Sequence, residues 1–236
     1  MLDVTFLDQA VLLPPATLVV ADLHVGRAAA ARVDAPLGEH DDLVGRLADG
    51  LRRADPDQVV FAGDVLHEFG RLSGAARATL DALGDCCRDA GATPVMVAGN
   101  HDGMLASAWD GAVHDHYRVD SAVGEVVVCH GHEAPAVDGD DDVDCYVAGH
   151  DHPAITIEGQ KRPCFLYGEG VYAGADLLLL PAFSRVAAGT VVNGRRSRDF
   201  QSPLVTDVDS LRPVVWDEAR EEALTFPPLG QFRRLL

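Results

Sequence analysis

Read for its alternation of apolar and polar positions, the chain repeats one phrase five times. A short apolar run meets a small or turning residue, and side chains that bind metals or move protons follow at once. Residues 18–21 (Leu-Val-Val-Ala) run into Asp22 and His24, residues 59–62 (Val-Val-Phe-Ala) through Gly63 into Asp64, and residues 95–98 (Val-Met-Val-Ala) through Gly99 into Asn100, His101 and Asp102. Residues 126–129 (Val-Val-Val-Cys) lead to His130 and His132, and residues 146–148 (Tyr-Val-Ala) lead through Gly149 to His150, Asp151 and His152. Continuous apolar runs of this length bounded by turn signals read as buried strands. Five strands are therefore expected to deliver their carboxyl ends to one place.

The segments between them change period. Leu43, Leu47 and Leu51 recur every fourth residue within 40–54, which predicts a helix stopped by Pro56, and residues 73–90 predict a second, with Ser73 as N-cap and Gly91 as the stop. Strand, helix, strand, helix, strand is the βαβ alternation of a mostly parallel sheet, in which ligands gather beyond the carboxyl ends of the strands. Two short apolar runs, 2–6 and 10–13, pair ahead of it, with Pro14 and Pro15 closing them. A short helical stretch follows Asp102 as far as Trp109. Beyond residue 153 the pattern turns to short strands (155–158, 164–167, 176–180, 191–192, 204–205 and 214–216), with a helix expected only around 217–224. A second, more antiparallel sheet packed on the first is the expected outcome.

Composition narrows the class. With 236 residues, 47% of them apolar, the chain can bury about 70–75% of its unfolded surface in one large core. No Ser/Gly/Pro-rich linker divides it, so residues 1–236 read as a single domain. Asp3 and Asp8 stand where a targeting segment would be basic, and the apolar stretch at 177–183 is broken by Pro181, far short of a membrane span. A cytoplasmic protein without a membrane partner is expected. Five scattered cysteines, with no paired spacing, read as reduced thiols packed as small hydrophobes rather than metal ligands.

Charge changes the picture more. Thirty-seven acidic residues against 19 basic ones give −18, and Lys161 is the only lysine. An acidic, lysine-poor surface over an ordinary core fits a salt-rich, halophilic cytoplasm. At ~1 M salt the Debye length is roughly 3 Å, so the net charge does not exclude a nucleic acid partner.

The chemistry lies in the strand ends. In extended chain, positions i and i+2 face the same side, so Asp22 with His24, and His150 with His152, can each address one ion. Oxygen and nitrogen donors without thiolate suit manganese, iron, nickel or zinc. A carboxylate such as Asp64 can bridge two ions, which together activate water and neutralise a phosphoryl group. Each motif alone is weak, but five in one chain, each ending a strand, point to a dinuclear site. Other polar features read as ordinary: His67 as a surface or supporting histidine, His114 and His116 as surface residues, the acidic run 138–144 as a solvated loop, and Arg195, Arg196 and Arg198 as a solvated turn or a phosphate contact. His132 has no assigned role.

Asp22-Leu23-His24, Gly63-Asp64, Gly99-Asn100-His101-Asp102, His130-Gly131-His132 and Gly149-His150-Asp151-His152, in that order, resemble the signature of the calcineurin-like metallophosphoesterases. The stretches Cys164-Phe165-Leu166 and Pro181-Ala182-Phe183-Ser184 resemble a small single-domain branch that includes bacterial DNA-ligase-associated repair phosphoesterases and archaeal members. The resemblance implies an α/β fold, a four-layer αββα sandwich of two mixed sheets flanked by helices. It assigns Asp22, His24, Asp64 and His152 to one divalent metal and Asp64, Asn100, His130 and His150 to a second, with manganese the first choice. His101 would face the leaving group, and a metal-bridging hydroxide would attack phosphorus. The implied substrate is a phosphodiester, with DNA or RNA leading. A small-molecule phosphomonoesterase or cyclic-nucleotide phosphodiesterase is the alternative, and a non-catalytic scaffold would have lost ligands that this chain keeps.

Overall fold

The computed structural model describes residues 2–30, 38–67, 70–137 and 142–233. Strands β1 (Thr5–Leu7) and β2 (Ala10–Leu13) form a hairpin that adds β3 (Thr17–Val20) antiparallel. From β3 the sheet continues in parallel through β4 (Gln58–Ala62), β5 (Thr93–Val97) and β6 (Val113–His114). The crossovers carry α1 (Arg27–Ala30), α2 (Glu39–Ala54) and α3 (Gly74–Asp89), and α4 (Leu105–Ala108) follows β5. Ser73 accepts the Ala76 N–H as the N-cap of α3, and Leu43, Leu47 and Leu51 form the buried stripe of α2.

The second sheet begins before residue 153, where the change of sequence pattern had placed it. It takes β7 (His116–Ser121), β8 (Gly124–Cys129) and β9 (Cys145–Ala148), so two of the five site strands belong to it. The chain then makes β10 (Pro153–Ile157), β11 (Gln160–Pro163), β12 (Phe165–Tyr172), β13 (Ala175–Leu179), β14 (Thr190–Val191), β15 (Arg212–Asp217) and β16 (Glu222–Thr225), before α5 (Leu229–Phe232). Seven strands order as β16-β15-β12-β13-β9-β8-β7, while β11-β10-β14 form a small third sheet. Three expectations fail. Residues 217–224 make the β15–β16 hairpin rather than a helix, because Val214, Val215, Trp216 and Asp217 pair with Thr225, Leu224, Ala223 and Glu222. Residues 204–205 lie in a turn. His114 and His116, read as surface positions, are half-buried in β6 and β7.

Strand alternation builds the layers. Val60 and Ala62 of β4 join Val126 and Val128 of β8 in a core between the two large sheets, while Val59 and Phe61 face the other way onto the leucines of α2 and α3. That is the period-two division of a sheet buried on both faces. Each of those leucines contributes on the order of 2 kcal/mol by burial. The outer layers differ: two sixteen-residue helices cover the first sheet, whereas turns, 3-10 segments and α5 cover the second, through Leu204, Val208, Leu211, Leu229 and Phe232. Among the described residues, no helix is long and apolar enough to cross a membrane.

Candidate metal centre

Strands β3, β4, β5, β8 and β9 all end at one seam between the large sheets. Ten described non-glycine residues have positive φ, and five of them are here: Asp22 at 58°, His24 at 49°, Asp64 at 47°, His150 at 70° and His152 at 45°. Each left-handed L-residue costs of order 1–3 kcal/mol and persists only where its surroundings enforce it. Asp22 and His24 therefore face one place through two left-handed residues, not through the extended chain that their spacing suggests. Backbone bonds hold the turn, as Asp22 N–H donates to Gly63 C=O at 3.0 Å and His24 N–H to Asp64 C=O at 2.9 Å.

Close approach explains two of the glycines. A Cβ at Gly99 would lie 2.3 Å from the Asp64 backbone nitrogen and Oδ1, and one at Gly149 would lie 2.4 Å from Asp22 Oδ2. The second contact crosses between the sheets, where the His150 N–H also donates to Asp22 Oδ2 at 3.0 Å.

The donors fall into groups. In the first, His152 Nε2 lies 3.1 Å from Asp22 Oδ1 and 3.2 Å from His24 Nε2. In the second, His130 Nε2 lies 3.1 Å from His150 Nδ1, 3.1 Å from Asn100 Oδ1 and 3.4 Å from Asp64 Oδ1. Asp64 faces both, since its Oδ2 is 3.9 Å from His24 Nε2. Thus Asp22, His24, Asp64, Asn100, His130, His150 and His152 are brought together. His101 joins them, its N–H donating to Asp64 Oδ1 at 2.9 Å and its Nε2 lying 3.9 Å from Asp64 Oδ2.

His67, read as a surface or supporting histidine, takes the supporting place. Its imidazole stacks on His101, with centroids 5.5 Å apart and planes at 12°, and meets His24 edge-on at 5.4 Å. His24, His67 and His101 can place three nitrogen donors within 4.8 Å of one another. Spacing could not reveal this, because Leu66 and Val25 must first bridge the strand ends. His132 packs 5.3 Å from His130 and 6.1 Å from His150. Arg195, Arg196 and Arg198 lie in a turn closed on itself: Arg195 donates to the Asp199 carbonyl, and the Asp199 carboxylate accepts the Arg196 N–H at 2.8 Å. Of the acidic run, 138–141 lie outside the described residues.

Two buried carboxylates brace the centre. Asp102 accepts Leu66 N–H at 2.8 Å, Gly99 N–H at 2.8 Å and Val65 N–H at 3.2 Å, joining the loops after β4 and β5. Asp151 accepts Gln201 N–H at 2.9 Å and Ser202 N–H at 3.1 Å, tying the loop after β9 to the cover of the second sheet.

The donor set fits divalent cations. Burial drives Asp64 up to about 7, with Asp22 and Asp102 adding to the effect, and Asp102 up to about 6 against three N–H bonds. Burial lowers His24 to about 3 and His130 to about 4, and also lowers His101 and His150, which leaves their rings neutral with a free lone pair. Asp22 and His152 resist burial by pairing, so that the carboxyl is held down and the imidazole up. Among the described residues, Asp22 and Asp64 have only histidines as ionic partners, and His24 Nδ1 is buried without a hydrogen bond. Clustered buried carboxylates with neutral imidazoles need a cation to offset the desolvation of their charge. The cysteines take no part; burial raises Cys87, Cys129 and Cys145 to about 12.

The profile of the calcineurin-like phosphoesterases matches residues 16–133. Among curated proteins, none matches the sequence at a significant level. The Pseudomonas putida nuclease MPE superposes with a TM-score of 0.60 at 26% identity, covering 90% of this chain and 91% of that one. Yfce, a phosphoesterase from E. coli, and a dimetal phosphatase from Danio rerio give TM-scores of 0.46 and 0.43 at 13% and 12% identity, each covering 90% of this chain and 98% of its own. With half its length matched by that profile and the motifs folded to one seam, the chain belongs to the calcineurin-like phosphoesterase family, hydrolases of phosphoester bonds.

Proposed function

We propose that this chain is a dinuclear metal-dependent phosphodiesterase acting on nucleic acid. The observation that carries the reading is the 26% identity, spread over nine-tenths of both chains, to a protein known as a nuclease. The two donor groups, joined through Asp64, support it. Asp22, His24, Asp64 and His152 would hold one ion and Asp64, Asn100, His130 and His150 the other, with manganese first and iron, nickel or zinc as alternatives. Bound there, such ions supply Lewis acidity toward the phosphoryl oxygens and a nucleophilic water at neutral pH.

The chain's own groups do the rest. Asp64 keeps the two halves in register and fixes the loop of Asn100 and His101 by accepting the His101 N–H. His101, rimming the seam, presents its imidazole N–H to the departing oxygen, and His67 stacked behind it keeps the ring from turning. Residues 1–236 act as one domain, since the core between the two sheets draws on both. A cytoplasmic setting rests on the composition and the free thiols.

The test is a metal-supplemented screen in high salt of bis(4-nitrophenyl) phosphate, 4-nitrophenyl phosphate, cyclic nucleotides and single-stranded DNA and RNA. Diester and oligonucleotide hydrolysis stimulated most by manganese is the expected result. Hydrolysis confined to monoesters would overturn it.

A further inference from the structure

The edges of the seam differ in charge. Beside His130 and His132, a recess of about 210 Å3 is bordered by Asp115, His116 and Glu133, with no lysine or arginine in its lining. Beside His24 stands Arg27, half-buried. Its N–H donates to the His24 carbonyl at 3.0 Å, which pins it one turn from the donor groups. Glu39, in the first turn of α2, accepts the N–H of Gly26 at 2.8 Å and of Ala28 at 3.0 Å. That carboxylate thus clamps the backbone on both sides of Arg27.

Several described arginines pair with carboxylates, Arg46 with Asp8, Arg53 with Glu221, Arg77 with Asp81 and Arg185 with Asp42, while Arg71, Arg162 and Arg212 show no carboxylate partner among the described residues. Among the described residues, Arg27 has none. Its charge bears on His24, His101 and His152, all at one side of the seam. A half-buried arginine whose backbone is clamped, and which has no carboxylate partner among the described residues, is suited to a ligand's phosphate, for which its planar fork is made.

We propose that Arg27 forms a subsite for the phosphate next to the scissile one in a single-stranded polynucleotide. The proposal rests on the nucleic-acid reading above. Ions held by the two donor groups would meet the scissile group's charge; a neighbouring phosphate would meet Arg27 on one edge of the seam and Asp115 and Glu133 on the other. Arg27 therefore orients the strand across the seam.

The test compares Arg27→Ala and Arg27→Lys with wild type on a single-stranded DNA oligonucleotide and on bis(4-nitrophenyl) phosphate, which has no second phosphate. For Arg27→Ala, the oligonucleotide KM should rise about tenfold or more with kcat within about threefold, while kcat/KM on the small diester falls by less than about threefold. Arg27→Lys, which keeps the charge but not the fork, should recover part of the loss. Oligonucleotide binding by fluorescence anisotropy, to a phosphorothioate-linked strand that resists turnover and with metal present, should weaken by a similar factor. The slope of log Kd against log salt should shrink by ~0.7, one phosphate contact on a single strand. Equal losses on the two esters, or an unaltered salt slope, would overturn the subsite. A wild type that hydrolyses the small diester but no oligonucleotide would instead overturn the nucleic-acid reading, and the subsite with it.

Discussion

The first sheet brings the oxygen donors to the centre, Asp22 from β3, Asp64 from β4 and Asn100 from β5, with His24 after β3 adding an imidazole. From the second sheet come the imidazoles of His130 after β8 and of His150 and His152 after β9, while Asp151 between the last two turns away to the 201–202 backbone. The supports differ in the same sense. Asp102 gathers three N–H groups from two loops that both carry donors, whereas Asp151 gathers two from a segment outside the seam. Buried carboxylates are the costly components of such a centre. Here they sit on the sheet with two long helices behind it, where the backbone can be held most firmly.

If the oxygen side carries the centre, its loss should be the most damaging. Asp64→Asn should abolish measurable hydrolysis and reduce bound metal at both positions, because this carboxylate faces both donor groups. Two ions per chain at wild-type affinity, read by metal analysis after dialysis, would show that neither half depends on it.

His101 sits on the oxygen side without belonging to either donor group, so it should separate chemistry from assembly. His101→Ala should keep its metal and lose about 10²–10⁴ in rate, the usual range for a group that assists proton transfer. The loss should be larger for an oligonucleotide, which expels a poor alkoxide, than for a nitrophenyl diester. Equal losses at full metal occupancy would assign His101 to holding the phosphoryl group instead.

Asp102→Asn and Asp151→Asn compare the two supports directly. An amide at Asp102 cannot accept all three N–H groups, and a buried orphan donor costs about 1–3 kcal/mol. Metal affinity should fall by about 10–100-fold, as is usual when a group holding ligands is lost. Asp151→Asn should cost less on both counts, since Gln201 is exposed. Urea melts and metal titrations of equal size for the two variants would erase the asymmetry between the sheets.

The smallest effect belongs to the surface. With −18 to screen, the melting temperature should rise by at least about 2–4 °C between dilute buffer and ~1 M salt. A melting temperature that falls would show that surface ion pairs such as Arg77–Asp81 outweigh the net repulsion.

The legible parts were those written locally. The leucine stripe of α2, the Ser73 cap and the five apolar runs need only a neighbour three or four residues away, or a strand on either side, to be recognised. Residues 217–224 were misread because a short polar segment has no period of its own; the pairing of Leu224 with Val215 made it a strand. Whether His67 lay at the surface or beside the centre was open for the same reason, since its place depends on where His24 and His101 lie.

The sequence by itself determined which side chains could form a metal centre and that each would stand at a strand end, because glycine, apolar period and donor type are properties of neighbouring residues. Tertiary structure decided the rest. It turned Asp22, His24, Asp64, His150 and His152 into left-handed backbone and set Asp22 against the His150 N–H across the sheets. Each of these is a contact or an imposed strain between segments more than a hundred residues apart, or on different strands, and only a packed core can hold such groups together against the entropy of the chain.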